Sequence, residues 1–249
     1  MDKTTLNAIR ALRRKTERSE QKRFVVEGDK GVAELVASSI DVERMYYVST
    51  MEHAVPDSHR FLAEQISVKE MGRISQMNTA PGLLALAKIP DLSADHVVRT
   101  VRESPMQYGL IGCRIQDPGN LGTLIRSADW FGFGGVLITE GTVDPWNAKT
   151  VQASMGSIFR IPIVEVSFDF LHGLSGHCHL EMHGTPHSEM SWESGWIWVG
   201  SESHGFEEVE LPSSSIAVHI PRVGAAESLN AGVASAIVCS EIARVKTAK

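Results

Sequence analysis

The chain has 249 residues, of which 43% are hydrophobic and 22% charged, a balance that excludes disordered and fibrous classes and leaves one large globular domain or two small ones. No apolar run approaches the roughly 18 residues of a membrane span, and the N-terminus lacks the apolar core of a secretory signal. The net charge of −6 argues against a nucleic-acid partner, but residues 1–23 carry eight Lys/Arg against three acids, a local +5 that leaves −11 elsewhere.

From the N-terminus, the pattern predicts a basic helix from Thr4, a strand at Phe24–Glu27 and a helix from Asp29. A strand at Met45–Val48, helical segments at His59–Gln65 and Glu70–Gln76, and a strand at Leu83–Ala87 follow. Ile89-Pro-Asp-Leu-Ser-Ala-Asp95 is polar with a proline and reads as a linker. The expected division is 1–90, a linker at 91–104, and 105–249.

Beyond the linker, strands are predicted at Tyr108–Ile115, Gly135–Thr139, Ile161–Val166, His179–Met182, Trp196–Gly200 and Ile216–Ile220, with a closing helix from Ser228 to Val245. Alternation of strand-length apolar runs with helical patterns gives an α/β class, a mainly parallel sheet with helices on both faces. The three cysteines, Cys113, Cys178 and Cys239, are far apart and odd in number, which points to reduced thiols and a cytoplasmic location.

Three stretches carry chemistry. Asp117-Pro-Gly-Asn120 is a turn entering a helix whose apolar stripe is Leu121, Leu124, Ile125, Ala128 and Phe131, and Arg126 falls on the opposite face beside Thr123 and Trp130. Taken alone, that arginine would be a solvated side chain. Gly132-Phe-Gly134-Gly135 follows a helix and precedes a strand, the reverse of a dinucleotide loop.

Trp196–Gly200 runs straight into Ser201-Glu202-Ser203-His204-Gly205, so Glu202 stands at a strand's carboxyl end, where α/β folds bind ligands. A serine hydrolase is the rival reading, but Ser201 fills the place of the first glycine of a nucleophile elbow. Ile216–Ile220 is closed by Pro221. The loop Val223–Ser228 leads to a helix that Ser228 can cap, and Asn230 is a poor helix former unless its amide finds a partner. His172, His177, His179, His183 and His187, with Cys178, match no zinc spacing, so no metal is expected.

In this order, Asn120–Arg126, Gly200–Gly205 and Ile220–Asn230 resemble the three signature motifs of the SpoU (TrmH-type) RNA ribose methyltransferases. The resemblance covers residues 108–245 and includes Ser154-Met-Gly156 and Phe159-Arg-Ile-Pro162. Phe24-Val-Val-Glu-Gly28 and Ser75–Leu84 are similar to the small RNA-binding domain that many members carry. Ala231 and Gly232 replace bulkier or hydroxyl residues, and Arg222 replaces a frequent methionine.

The resemblance implies a C-terminal trefoil-knotted methyltransferase domain behind a small N-terminal α/β domain. It implies transfer of a methyl group from S-adenosylmethionine to a ribose 2′-hydroxyl of RNA, with ribosomal RNA favoured over transfer RNA. The alternative is a catalytically inactive RNA-binding module of the same fold. The implied polar site is Asn120, Arg126, Glu202, Ser228 and Asn230, and the cofactor would be held by backbone at Gly200, Ile220 and Leu229. Arg126 would stabilise the alkoxide and hold the adjacent phosphate, since a guanidinium hardly deprotonates. Ser228 and Asn230 would position Arg126 or the ribose, and Glu202 would orient a donor or act as the base. A homodimer is implied, and a tryptophan at position 130 on a nominally exposed face agrees with it.

Overall fold

The computed structural model describes residues 1–202, 205–207 and 209–248 and divides the chain into two compact units. One comprises Met1–Asp91 with Asp144–Arg160, the other Leu92–Val143 with Ile161–Lys249. The later segment of the first unit lies inside the stretch that the sequence assigned wholly to the C-terminal region.

In the first unit, strands β1 (Arg23–Glu27), β2 (Val42–Tyr47), β3 (Ala63–Gln65) and β4 (Leu83–Lys88) form a sheet in the order β1-β4-β2-β3. It is antiparallel except where β2 meets β3. Its helices are α1 (Lys3–Ala11), α2 (Lys15–Gln21), α3 (Asp29–Val36), α4 (Val68–Ile74) and, from the later segment, α7 (Ala148–Ala153). Asp2 caps α1 through the Thr5 amide at 2.9 Å, and Leu6 and Ile9 sink into a core with Val25, Met71 and Ile74.

Two expectations change here. The single basic helix is two helices, because the chain turns at Leu12–Arg14 before α2 begins. The segment His59–Gln65 is not helical throughout: a 3₁₀ turn at Asp57–Leu62 gives way to edge strand β3, paired with Met45–Tyr47. That pairing is non-local, and Ala-Glu-Gln carries no strand signature of its own.

Much of the N-terminal basic character is consumed internally. Arg18 is only 4% exposed; its Nε donates to Asp144 Oδ2 at 2.6 Å and its Nη1 to the Leu12 carbonyl at 2.6 Å. Arg13 donates to the Ser75 carbonyl, and Arg23 pairs with Glu43 at 2.6 Å. Trp146 stacks obliquely on Phe24 with ring centroids 4.7 Å apart, and Arg160 pairs with Glu34 at 2.5 Å. These contacts fix Asp144–Arg160 to the first unit.

The second unit is built on a six-stranded sheet, all parallel, in the order β10-β8-β9-β5-β6-β7. The strands are β5 (Tyr108–Gly112), β6 (Val136–Thr139), β7 (Ile163–Val166), β8 (His177–Pro186), β9 (Gly195–Val199) and β10 (Ile216–His219). Helices α5 (Ala94–Glu103), α6 (Pro118–Trp130), α8 (Phe168–His172) and α9 (Ala231–Thr247) complete it. The fully buried runs of β5 and β6 explain why these strands read as continuous apolar segments.

The stretch expected as a linker carries α5, capped by Ser93 and burying Val97 and Val101. Its close packing also accounts for the glycines after α6. A Cβ on Gly134 would stand 2.4 Å from the Thr100 carbonyl oxygen, and one on Gly135 would meet Val97 Cγ1 at 2.6 Å. Cys113, Cys178 and Cys239 are free and buried, and burial pushes the pKa of the Cys178 thiol up to about 11. Among the described residues, no helix is long and apolar enough to cross a membrane.

Candidate active site

The carboxyl ends of β9 and β10 open onto a cavity of about 480 Å³ in the second unit. Its walls include Val199, Phe206, Val218, Ile220 and Leu229, with backbone at Gly200 and Gly224. Gly200, Ile220 and Leu229, the three residues implied for cofactor binding, all line it, as do Glu202 and Ser228. The volume suits a nucleoside-sized ligand, and an apolar wall interrupted by backbone amides and a few polar groups suits a base and its sugar.

Gly200 has a local reason to be glycine. Ser201 and Gly205 form a bridge, and a Cβ on Gly200 would lie 2.7 Å from the Gly205 carbonyl oxygen. A side chain there must therefore push the turn out of place. Gly200→Val is expected to abolish nucleoside binding by calorimetry; binding within threefold of the parent would remove this turn from the site. Ser203 and His204, on which the hydrolase reading rested, lie outside the described residues.

Three of the predicted polar residues meet beside the cavity. Asn230 Nδ2 donates to Asn120 Oδ1 at 2.6 Å and to Glu202 Oε1 at 2.6 Å, while its own Oδ1 accepts from the Val233 amide at 3.1 Å. Both amide hydrogens and the oxygen are thus used, which aspartate could not do beside Glu202. Glu202 Oε1 also accepts from the Ala231 amide at 3.2 Å, placing a carboxylate at the N-terminus of a 17-residue helix, where its charge is stabilised. Asp117 caps α6 through the Asn120 amide at 2.9 Å, and only 8% of Asn120 is exposed.

One expectation is corrected. Asn230, not Ser228, caps α9, and the helix starts at Ala231. Either residue type can cap, and the bonds to Asn120 and Glu202 decide between them. Close packing of α9 on α6 explains Gly232, whose Cβ would meet Thr123 Cβ at 2.8 Å.

Arg126 is not part of this cluster: it is exposed on the outer face of α6, as its spacing implied. Trp130 on the same face is 80% exposed. Thr123, His187, Val233, Ala236 and Ile237 line a second, open groove.

The histidine-rich stretch serves other ends. His177 Nδ1 accepts from Trp198 Nε1 at 3.0 Å, and Nε2 lies 2.9 Å from the Leu174 carbonyl oxygen, so the ring is a neutral tautomer with its proton on Nε2. Burial holds that imidazole below its ordinary pKa. His179 bonds to Ser215 and Glu181. Among the described residues, no group of three His, Cys, Asp or Glu side chains could hold a metal ion.

The sequence missed Leu180, Glu181, Met182 and Phe206 as cavity-lining residues. The only signal was the glycine at 184, well inside what proves to be a ten-residue strand.

The chain is similar to known proteins in both sequence and fold. Residues 109–240 match the SpoU rRNA Methylase family, and residues 3–85 match the MRM3-like substrate binding domain. A Bacillus subtilis (strain 168) protein named 23S rRNA (guanosine(2553)-2′-O)-methyltransferase RlmP is 30% identical over 236 residues, 91% of each chain. Human mitochondrial rRNA methyltransferase 3 is 32% identical over 155 residues, 59% of this chain and 36% of that protein.

Among solved structures, a putative RNA methyltransferase of the TrmH family from Porphyromonas gingivalis superposes with a TM-score of 0.80 at 27% identity. The match covers 98% of this chain and 99% of that one. An AdoMet-bound rRNA methyltransferase from Sinorhizobium meliloti gives a TM-score of 0.80 at 25% identity, covering 98% and 95%.

Proposed function

The chain belongs to the SpoU rRNA methylase family, and from that premise we propose that it methylates a ribose 2′-hydroxyl in ribosomal RNA. S-adenosylmethionine, when bound, supplies an electrophilic methyl group. The observation that carries this reading is the Asn120–Asn230–Glu202 cluster beside the cavity lined by Gly200, Ile220 and Leu229. The RNA acceptor follows from chemistry, because only a ribonucleotide has the hydroxyl. Ribosomal rather than transfer RNA is supported by the names of the Bacillus subtilis and human relatives.

Each residue then has a physical task. Alignment of the hydroxyl with the methyl group supplies much of the acceleration, and Asn120, locked through Asn230, sits on the helix that presents it. Glu202 is an orienting residue: with its Oε1 on Asn230 and the α9 N-terminus, it fixes the amide rather than receiving a proton. Arg126 stabilises negative charge developing on the ribose oxygen and holds the neighbouring phosphate. Ser228 stands at the cavity lip and contacts the ribose.

The active unit is a homodimer in this reading. Arg126 and Trp130 are exposed on α6, whose Thr123 lines the groove with Val233 and Ile237, and a second copy would cover these surfaces. The knotted C-terminal path implied by the resemblance belongs to the same proposal, as does selection of the RNA by residues 1–90. With Arg13 and Arg18 engaged inside the unit and Arg14 paired with Glu17, phosphate contacts there fall to the outward-facing Lys3 and Arg10.

The test is a transfer assay with labelled S-adenosylmethionine on separate ribosomal and transfer RNA pools lacking the modification. Label is expected in a single ribosomal RNA position. Label confined to transfer RNA would refute the substrate assignment, and cofactor binding without transfer to either pool would favour an inactive RNA-binding module.

A further inference from the structure

Strand β8 does something its neighbours do not. Its register against β10 runs Ile216↔Cys178 and Ala217↔His179, then jumps to Val218↔Thr185 and His219↔Pro186. One step along β10 is matched by six along β8, leaving five residues, Leu180–Gly184, without partners in that ladder. An ordinary bulge inserts one.

The return is made at Gly184, where φ is +130° and a Cβ would lie 2.3 Å from the Ala217 carbonyl oxygen, so only glycine fits. The Gly184 carbonyl is held by the His219 imidazole at 3.0 Å. The excursion does not project idly: Leu180, Glu181 and Met182 form part of the cavity wall.

Glu181 is anchored within it. Its Oε2 lies 3.3 Å from His179 Nε2, and His179, only 8% exposed, uses Nδ1 on the Ser215 hydroxyl at 2.9 Å and sets its ring edge-to-face against Phe206. Burial holds that imidazole below its ordinary range against the pull of Glu181. Nε2 thus faces the carboxylate while Nδ1 faces the hydroxyl. One carboxylate oxygen is thus fixed, and the other remains for a ligand.

The remaining charges on the wall sort themselves. Glu202 spends Oε1 on both Asn230 and Ala231, which ties it to the α9 N-terminus, and Glu227 stands on the loop before α9. Among the described residues Arg222, on the loop after β10, bonds to the Ala226 carbonyl through Nη1 alone, which leaves most of its fork of donors. Of the three carboxylates among the described residues of the wall, Glu181 is the one held by a buried imidazole, and with the Arg222 guanidinium it matches the two charges of an α-amino acid.

We propose that Glu181 and Arg222 grip the amino-acid end of S-adenosylmethionine, Glu181 taking the ammonium and Arg222 the carboxylate. This rests on the cofactor reading above. It gives the β8 excursion a function.

The test is calorimetry of the full chain with two nucleosides: S-adenosylhomocysteine, which keeps the amino-acid end, and 5′-methylthioadenosine, which lacks it. Glu181→Gln and Arg222→Met are each expected to weaken S-adenosylhomocysteine tenfold or more and methylthioadenosine less than twofold. Glu227→Gln, on the same wall, should change neither. Equal weakening of both nucleosides, no weakening of either, or a selective loss in Glu227→Gln instead would overturn the assignment while leaving the cofactor reading intact. If the unaltered chain bound neither nucleoside, the cofactor reading would fall and this one with it. Thermal melting of the variants checks that each is folded.

Discussion

Arg126→Ala is expected to lower methyl transfer by a factor of about 10² to 10³ while leaving cofactor affinity within twofold. The reasoning is electrostatic. A side chain aimed at charge that develops only during reaction contributes to the rate and little to ground-state binding, and loss of one such donor typically costs about 2.7–4 kcal/mol. Arg126 is exposed on α6, and surface substitutions of that kind usually alter stability by no more than about 0.5 kcal/mol. Kinetics and melting curves together therefore separate a chemical role from a structural one.

The same variant tests the dimer. Asn230→Ala removes the donor to Asn120 and Glu202 and should also be nearly inactive. If Arg126 serves the cavity of the other chain, a mixed dimer of the two variants has one site with both parental groups and one with neither. About half the parental activity should return. No recovery in verified mixed dimers would place both residues in a site made by one chain, and a monomer at working concentration would end the dimer proposal.

Arg18→Ala is expected to destabilise the first unit by about 3–5 kcal/mol, because removing one partner strands the other in the interior. Asp144, with a side chain 11% exposed, would keep its bond from the Trp146 amide but lose the guanidinium, and the Leu12 carbonyl would lose a donor. Hydrogen exchange of the β1 amides at Phe24–Val26 should speed up, while that of β5 and β6 should hardly change. A loss below about 1 kcal/mol would mean that water replaces the guanidinium and that the pair does not hold Asp144–Arg160 in place.

Arg18 also shows where sequence reading fails. In a run with Arg13, Arg14 and Lys15 it looks like one more solvated or RNA-facing cation, and its partner is 126 residues away. Helix α5 was hidden for a different reason. Pro90, Asp91 and Asp95 give the polarity of a linker, while the two buried residues of this helix, Val97 and Val101, recur only once.

The parallel strands of the second unit were legible because burial on both faces leaves unbroken apolar runs such as Trp196–Val199. Asn120, Glu202 and Asn230 were legible as members of three turn-bearing motifs, but not their bonding, which depends on how α6 and α9 pack. The β8 excursion was invisible, since register belongs to a pair of strands and His179–Met182 by itself reads as a plain strand.

The central claim is methylation at the 2′-oxygen, and alkaline hydrolysis of the labelled RNA tests it most directly. Alkali cleaves RNA through the free 2′-hydroxyl, so a ribose methylated there protects the bond on its 3′ side. Label is predicted in an alkali-resistant dinucleotide, from which nuclease digestion releases a 2′-O-methylnucleoside. Label recovered instead as a mononucleotide carrying a methylated base would contradict the account.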